Sequence, residues 1–195
     1  MNVQPVALIG KVVRLEPLSA AHVPDLMLAG HDAGIWRYML YGYPDTEAKM
    51  RVWVLDMLKR QAAGTDLPFA VICLQTDRAI GATRYLEIRL EQRGLEIGGT
   101  WYAVEFQRTA VNSESKYLLL KHAFEVLGCI RVQFKTDLRN ERSRRALERI
   151  GARQEGVLRN HYILPAGIIR DSVYYSILDR EWPLVKARLE SFLQR

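Results

Sequence analysis

Apolar positions along the chain follow two periods, and each change of period marks the expected end of an element. Residues 11–17 alternate apolar and polar side chains as a half-buried strand does, and Ser19 is placed to cap a short helix over residues 20–29. A loop carrying Trp36, Tyr38, Tyr41 and Tyr43 follows. Residues 46–63 return Met50, Trp53, Val54 and Met57 to one side of a helix that Gly64 stops. Three strands are expected over residues 69–74, 79–88 and 95–102, broken at Asp77-Arg78 and at Gln92-Arg93-Gly94. From residue 113 to 127, Leu119, Leu120, Ala123, Phe124 and Leu127 form a helical stripe closed by Gly128. A strand over 130–136, a helix over 141–150 ended by Gly151, and two strands over 157–164 and 168–178 complete the pattern. Asp179 then caps a C-terminal amphipathic helix.

That order predicts one α/β domain spanning residues 1–195, with a mixed sheet and helices on both faces. The informative piece is β-α-β. A parallel step from the strand over 95–102, through the long helix, to the strand over 130–136 sets a helix N-terminus beside the carboxyl end of a strand, where α/β folds bind ligands.

Composition narrows this picture only slightly. The chain has 195 residues, 49% hydrophobic, which suits one core. It lacks both an apolar run of membrane-spanning length and a leading signal segment, so a soluble, cytoplasmic protein without a membrane partner is expected. Cys73 and Cys129 read as core residues rather than a disulfide framework. Metal-ligand spacing is absent, and His22, His31, His122 and His161 form no ligand or triad pattern. The net charge of +6 fits nucleic acid, an anionic cofactor or an acidic surface. Half of the basic residues fall in the last third, where Glu141 and Glu148 can pair with some of them, so a solvated helix face explains much of the excess.

Three constellations carry candidate chemistry. The loop Phe106-Gln107-Arg108-Thr109-Ala110-Val111-Asn112-Ser113 leads into the long helix, whose N-terminal N–H groups can hold a pyrophosphate. Lys116, expected in the first turn, and Arg108 would favour an anion there; alternatively Asn112 or Ser113 is a plain N-cap and Lys116 a solvated lysine. Asn140-Glu141-Arg142-Ser143 opens the next helix, and Ser143 shares a face with Leu147 and Ile150, which turns its hydroxyl toward the sheet. Gly98-Gly99 interrupts a strand and suggests a bulge or a close backbone approach to a ligand. Glu96, on the opposite face from Leu95 and Ile97, is the best-placed carboxylate for a proton acceptor.

The runs 101–120, 131–143 and 150–159, with the likeness extending from Val13-Arg14-Leu15-Glu16-Pro17-Leu18 to Glu181-Trp182-Pro183, resemble the RimJ/RimL-like enzymes of the GNAT superfamily, which acetylate N-termini of ribosomal proteins. The resemblance implies a mostly antiparallel sheet of about seven strands, splayed at a central parallel pair to admit acetyl-CoA. It implies that Thr100, Trp101 and the backbone of Arg108, Thr109, Ala110, Val111, Asn112 and Ser113, with Lys116, hold the cofactor, and that Asn140 orders its pantetheine arm. Ser143 would protonate the departing thiolate, a role many relatives give to a tyrosine, and Glu96 would accept the amine proton. Trp36, Tyr38 and Tyr41 would line the acceptor end, although such a cluster also reads as ordinary packing. The superfamily loop is usually glycine-rich, whereas here Ala110 stands where the first glycine is expected.

The function implied is acetyl transfer by direct attack of an amine on acetyl-CoA, without a covalent enzyme intermediate or a metal. The acceptor is a protein N-terminus or a small-molecule amine. Nucleic acid is not the expected partner, and a homodimer is left open. The rival classes are an acyl-CoA-binding protein without transfer chemistry and a basic RNA- or ribosome-binding module.

Overall fold

The computed structural model describes residues 1–194, which form one eight-stranded sheet with helices on both faces. The strands are β1 (Leu8–Ile9), β2 (Val13–Pro17), β3 (Leu67–Cys73), β4 (Arg78–Arg89), β5 (Gly94–Tyr102), β6 (Arg131–Asp137), β7 (Arg153–Ile163) and β8 (Ile169–Leu178). Their spatial order is β1-β2-β3-β4-β5-β6-β8-β7. Each neighbouring pair is antiparallel except β5 and β6. The two-residue β1 accounts for the one strand beyond the seven expected.

Alternation along the strands sorts the core into two layers. On β3, Phe69, Val71 and Cys73 point to the side covered by α3 (Ala110–Lys121), α4 (Glu141–Ile150) and α5 (Trp182–Leu193). Ala70 and Ile72 point to the side covered by α1 (Val23–Ala29) and α2 (Glu47–Ala62). The expected helix at 20–29 begins as a 3₁₀ turn at Ala20–His22, and α2 is capped by the Thr46 hydroxyl accepting from the Lys49 N–H.

Two departures matter for the site. The third helix starts three residues earlier than its apolar stripe suggests. Thr109 is the N-cap, its hydroxyl accepting from Val111 N–H at 3.3 Å, and neither Asn112 nor Ser113 caps it. Lys116 therefore lies in the second turn, and its side chain is buried. The helix ends in a π turn over His122–Val126. On β5, Ala82 pairs with Trp101 and Arg84 with Gly98, so one strand carries an extra residue and the bulge expected at the paired glycines is present.

Candidate active site

The parallel ladder of β5 and β6 is short, running only from Gly94–Arg131 to Glu96–Gln133. Beyond it the strands part. A cleft of about 700 Å³ opens there, walled by the β5 bulge on one side and by Phe134, Lys135 and Thr136 of β6 on the other. The N-terminus of α3 and one face of α4 close it above, and the loop of residues 34–41 closes its far end.

The bulge depends on its glycines. Gly99 has φ of +57°, a left-handed conformation that favours glycine, and a Cβ there would lie 3.0 Å from Arg84 Nε. A Cβ on Gly98 would lie 3.1 Å from Glu96 Oε1. Glu96 itself is buried; its Oε2 accepts from Gln133 Nε2 at 3.1 Å and lies 3.4 Å from Lys135 Nζ. Burial raises its pKa above the usual carboxylate value, opposed by Lys135 and Gln133. Its other oxygen, on the bulge side, accepts no hydrogen bond from the described residues.

On the α3 side of the sheet, Lys116 Nζ donates to Thr100 Oγ1 at 2.8 Å, and Thr100 shares a 2.7 Å hydrogen bond with Thr83. With no carboxylate in this set, burial alone pushes the Lys116 pKa down to about 7. Lys116 is thus neither the solvated lysine nor the first-turn cation that its position in the sequence suggests. Asn112 borders the cleft and accepts from the Tyr102 hydroxyl at 3.4 Å, while Ser113 Oγ accepts from Arg149 at 2.8 Å.

Asn140 caps α4 through Oδ1, which accepts from Ser143 N–H at 3.1 Å. The Ser143 hydroxyl, half-buried on the cleft wall, has no hydrogen-bond partner among the described residues. The cleft thus gathers Glu96, Thr100, Arg108, Thr109, Ala110, Asn112, Ser113, Lys116, Asn140, Ser143, Tyr38 and Tyr41.

Three expected site side chains lie elsewhere. Trp36 and Trp101 stack against each other with centroids 4.8 Å apart inside the α1/α2 core, and Trp36 Nε1 donates to Gly30 O. Val111 is buried in the opposite core layer, and its N–H is the one that Thr109 caps. Sequence reasoning missed Lys135 and Arg170, buried cations on the cleft wall. A lysine or arginine within a strand gives no signal of which groups neighbouring strands will set beside it.

Cys73 and Cys129 are free and buried, and burial pushes the Cys129 thiol up to about 11, which argues against a thiol nucleophile. Among the described residues there is no metal-ligand cluster and no helix long and apolar enough to cross a membrane. The cleft lining is strongly basic. It holds Arg84, Arg108, Lys116, Lys135, Arg142, Arg145, Arg149 and Arg170, against Glu96 as the one carboxylate among the described residues.

Residues 13–153 match the model of the acetyltransferase (GNAT) domain. The chain belongs to the GNAT acetyltransferase family. It is 31% identical over 170 residues to the "Putative ribosomal N-acetyltransferase YdaF" of Bacillus subtilis (strain 168), covering 86% of this chain and 90% of that one. A crystal structure of an acetyltransferase from T. thermophilus is 42% identical, with 98% of each chain covered and a TM-score of 0.89. A GCN5-related N-acetyltransferase from Brucella melitensis is 30% identical and covers 98% of this chain and 86% of its own, with a TM-score of 0.92. The fold is that of these GNAT structures, and the protein is an acyltransferase whose family uses acetyl-CoA.

The residues present suit that ligand. An α3 N-terminus flanked by Arg108, Arg142 and Arg149 answers the negative charge of CoA phosphates, and the apolar Phe134 and Leu147 line the way toward the bulge.

Proposed function

We propose that this protein transfers the acetyl group of acetyl-CoA to the primary amine of an acceptor, with Glu96 accepting the amine proton and Ser143 supplying one to the departing thiolate. One observation carries the reading: a carboxylate with an unused oxygen and a hydroxyl without a partner border the same cleft, where the central strands part. Acetyl-CoA supplies the activated acyl group. The protein's own residues hold and orient it: the N–H groups at the start of α3 and the arginines beside them at the phosphates, and Asn140, whose amide nitrogen is free of the cap, along the arm.

An amine attacks only when neutral, so the group that takes its proton must be ionised when the amine arrives. Glu96 meets this condition because Lys135 and Gln133 favour its carboxylate, while burial brings its affinity for a proton closer to that of the amine. A short relay through Ser143 serves the other end of the reaction, where negative charge gathers on sulfur.

The acceptor is proposed to be a polypeptide N-terminus, in keeping with the name of the B. subtilis relative and with a cleft mouth bordered by the loop carrying Tyr38 and Tyr41. The test is CoA release from acetyl-CoA across a panel of N-terminal peptides and small amines. Turnover with peptides supports the reading, turnover confined to small amines replaces the acceptor, and no turnover with any amine overturns it.

A further inference from the structure

The far end of the cleft, beyond Glu96, holds four cations and three carboxylates whose pairing leaves one cation over. Lys135 Nζ lies 3.4 Å from Glu96, Arg84 Nε lies 3.2 Å from Asp66, and Arg139 lies 2.6 Å from Asp137. The fourth is Arg170 of β8, 5% exposed and on the cleft wall, with no carboxylate within ion-pair distance among the described residues. Alternation along β8 places Arg170 and Ser172 on the sheet face opposite Val173, Tyr175 and Ile177. That is the face onto which Lys135 and Glu96 also project.

Arg170 is held but not satisfied. Its Nε donates to Ser172 Oγ at 3.0 Å and its Nη1 to the Tyr38 carbonyl at 3.2 Å, while the guanidinium lies 5.7 Å from the Tyr162 ring centre. A guanidinium has five N–H donors in a planar fork, so most of its donors are unspent. Desolvation lowers its pKa, with Asp137 too distant to compensate fully. A buried, unpaired arginine is costly unless a ligand supplies the missing anion.

We infer that Arg170 is a binding residue for a carboxylate on the acceptor, so that the preferred substrate carries its amine toward Glu96 and a carboxylate toward Arg170. This rests on the proposed acetyl transfer for the identity of the ligand. The geometry suits a carboxylate because the fork pairs with both of its oxygens, and the donors to Ser172 and Tyr38 fix its plane. The carboxylate has two sources that share this chemistry: an acidic side chain near a peptide N-terminus, or the α-carboxylate of a free amino acid.

Binding separates this inference from the catalytic reading. Calorimetry on the protein saturated with CoA would compare a peptide amide with aspartate at its second position with the asparagine counterpart, and free serine with serinamide. The carboxylate member of one pair is expected to bind ~10- to 100-fold more tightly, the range for a charge-assisted contact. Arg170→Met should erase that preference. Arg170→Lys, which keeps the charge and loses the fork, should retain a smaller part of it. The pair that discriminates identifies the source. Equal affinities within both pairs, or an unchanged preference in folded Arg170→Met, would overturn the inference. CoA release, read separately on wild type, judges only the transfer chemistry.

Discussion

Burying an ammonium without a carboxylate beside it shifts its titration, and Lys116 shows the consequence. Its only hydrogen-bond acceptor among the described residues is the Thr100 hydroxyl, and its pKa falls to about 7. Because the folded value is depressed, the unfolded chain binds the extra proton between about pH 7 and 10.5. Stability should therefore rise with pH across that window, and the full penalty should persist below it. Lys116→Met is expected to stabilise the protein at pH 7 and to flatten the rise, by roughly 1.4 kcal/mol for each tenfold loss of proton affinity on folding. Urea unfolding at pH 7 and 9 checks this; parallel curves for wild type and variant would mean that Lys116 titrates normally. Glu96 shifts the other way, its pKa raised by burial. Acetyl transfer should rise with pH through a value above the usual carboxylate range. Glu96→Gln should lower the rate by ~10²-fold or more and weaken that dependence, and Ser143→Ala should cut single-turnover transfer by on the order of 10²-fold with the fold intact. A Ser143→Ala enzyme as fast as wild type would leave Ser143 as a packing residue behind the Asn140 cap.

At the scale of elements, the β5 bulge decides what the strand presents to each face. Leu95 and Ile97 face the α3 layer, and strict alternation would send Trp101 there too. The extra residue at Gly99–Thr100 reverses the parity, so Thr100 and Tyr102 face α3 while Trp101 joins Trp36 and Trp53 beside α2. This is why the bulge itself is legible from two glycines but the placement of Trp101 is not. The start of α3 is hidden for a related reason. The turn before it uses Arg108 at φ +63°, where a glycine would have announced it, and Thr109 caps the helix without an acidic partner. α4 is legible to the residue, since Asn140 and Gly151 are both strong end signals. Glu114, which accepts from the N–H groups of Lys11, Val12 and Val13 at 2.7 to 2.8 Å, could not be foreseen, because its partners lie about a hundred residues away. If the bulge is a shaped element of the site, Gly99→Ala should cost roughly 1–2 kcal/mol for the left-handed backbone alone and should lower turnover as Arg84 is pushed aside. Wild-type stability and rates in that variant would show that the bulge tolerates a side chain.

For the whole molecule the balance of charge matters more than any single contact. The net charge of +6 is not spread evenly, since the cleft concentrates arginines and lysines around a single carboxylate, and their mutual repulsion is relieved only when an anion enters. Much of the basic excess that a solvated helix face would have explained thus belongs to one site. Arg142 and Arg149 illustrate the point: they are partly steadied by Gln107 and by Ser113, neutral groups that leave their charge uncompensated. A ligand carrying several phosphate charges should therefore stabilise the fold more than its size suggests, and salt should weaken the effect. At about 100 times its dissociation constant, acetyl-CoA bound to the native state alone adds roughly 2.7 kcal/mol. In a chain of this length that corresponds to a rise in melting temperature of roughly 5–10 °C. Thermal melts with acetyl-CoA, CoA and CoA lacking its 3′-phosphate, each at low and high salt, give the measurement. The two phosphate-complete ligands should shift the transition alike and the truncated one less, with the difference shrinking as salt rises. A transition that none of the three moves would detach the basic cleft from CoA and return the charge to the surface role that composition alone allowed.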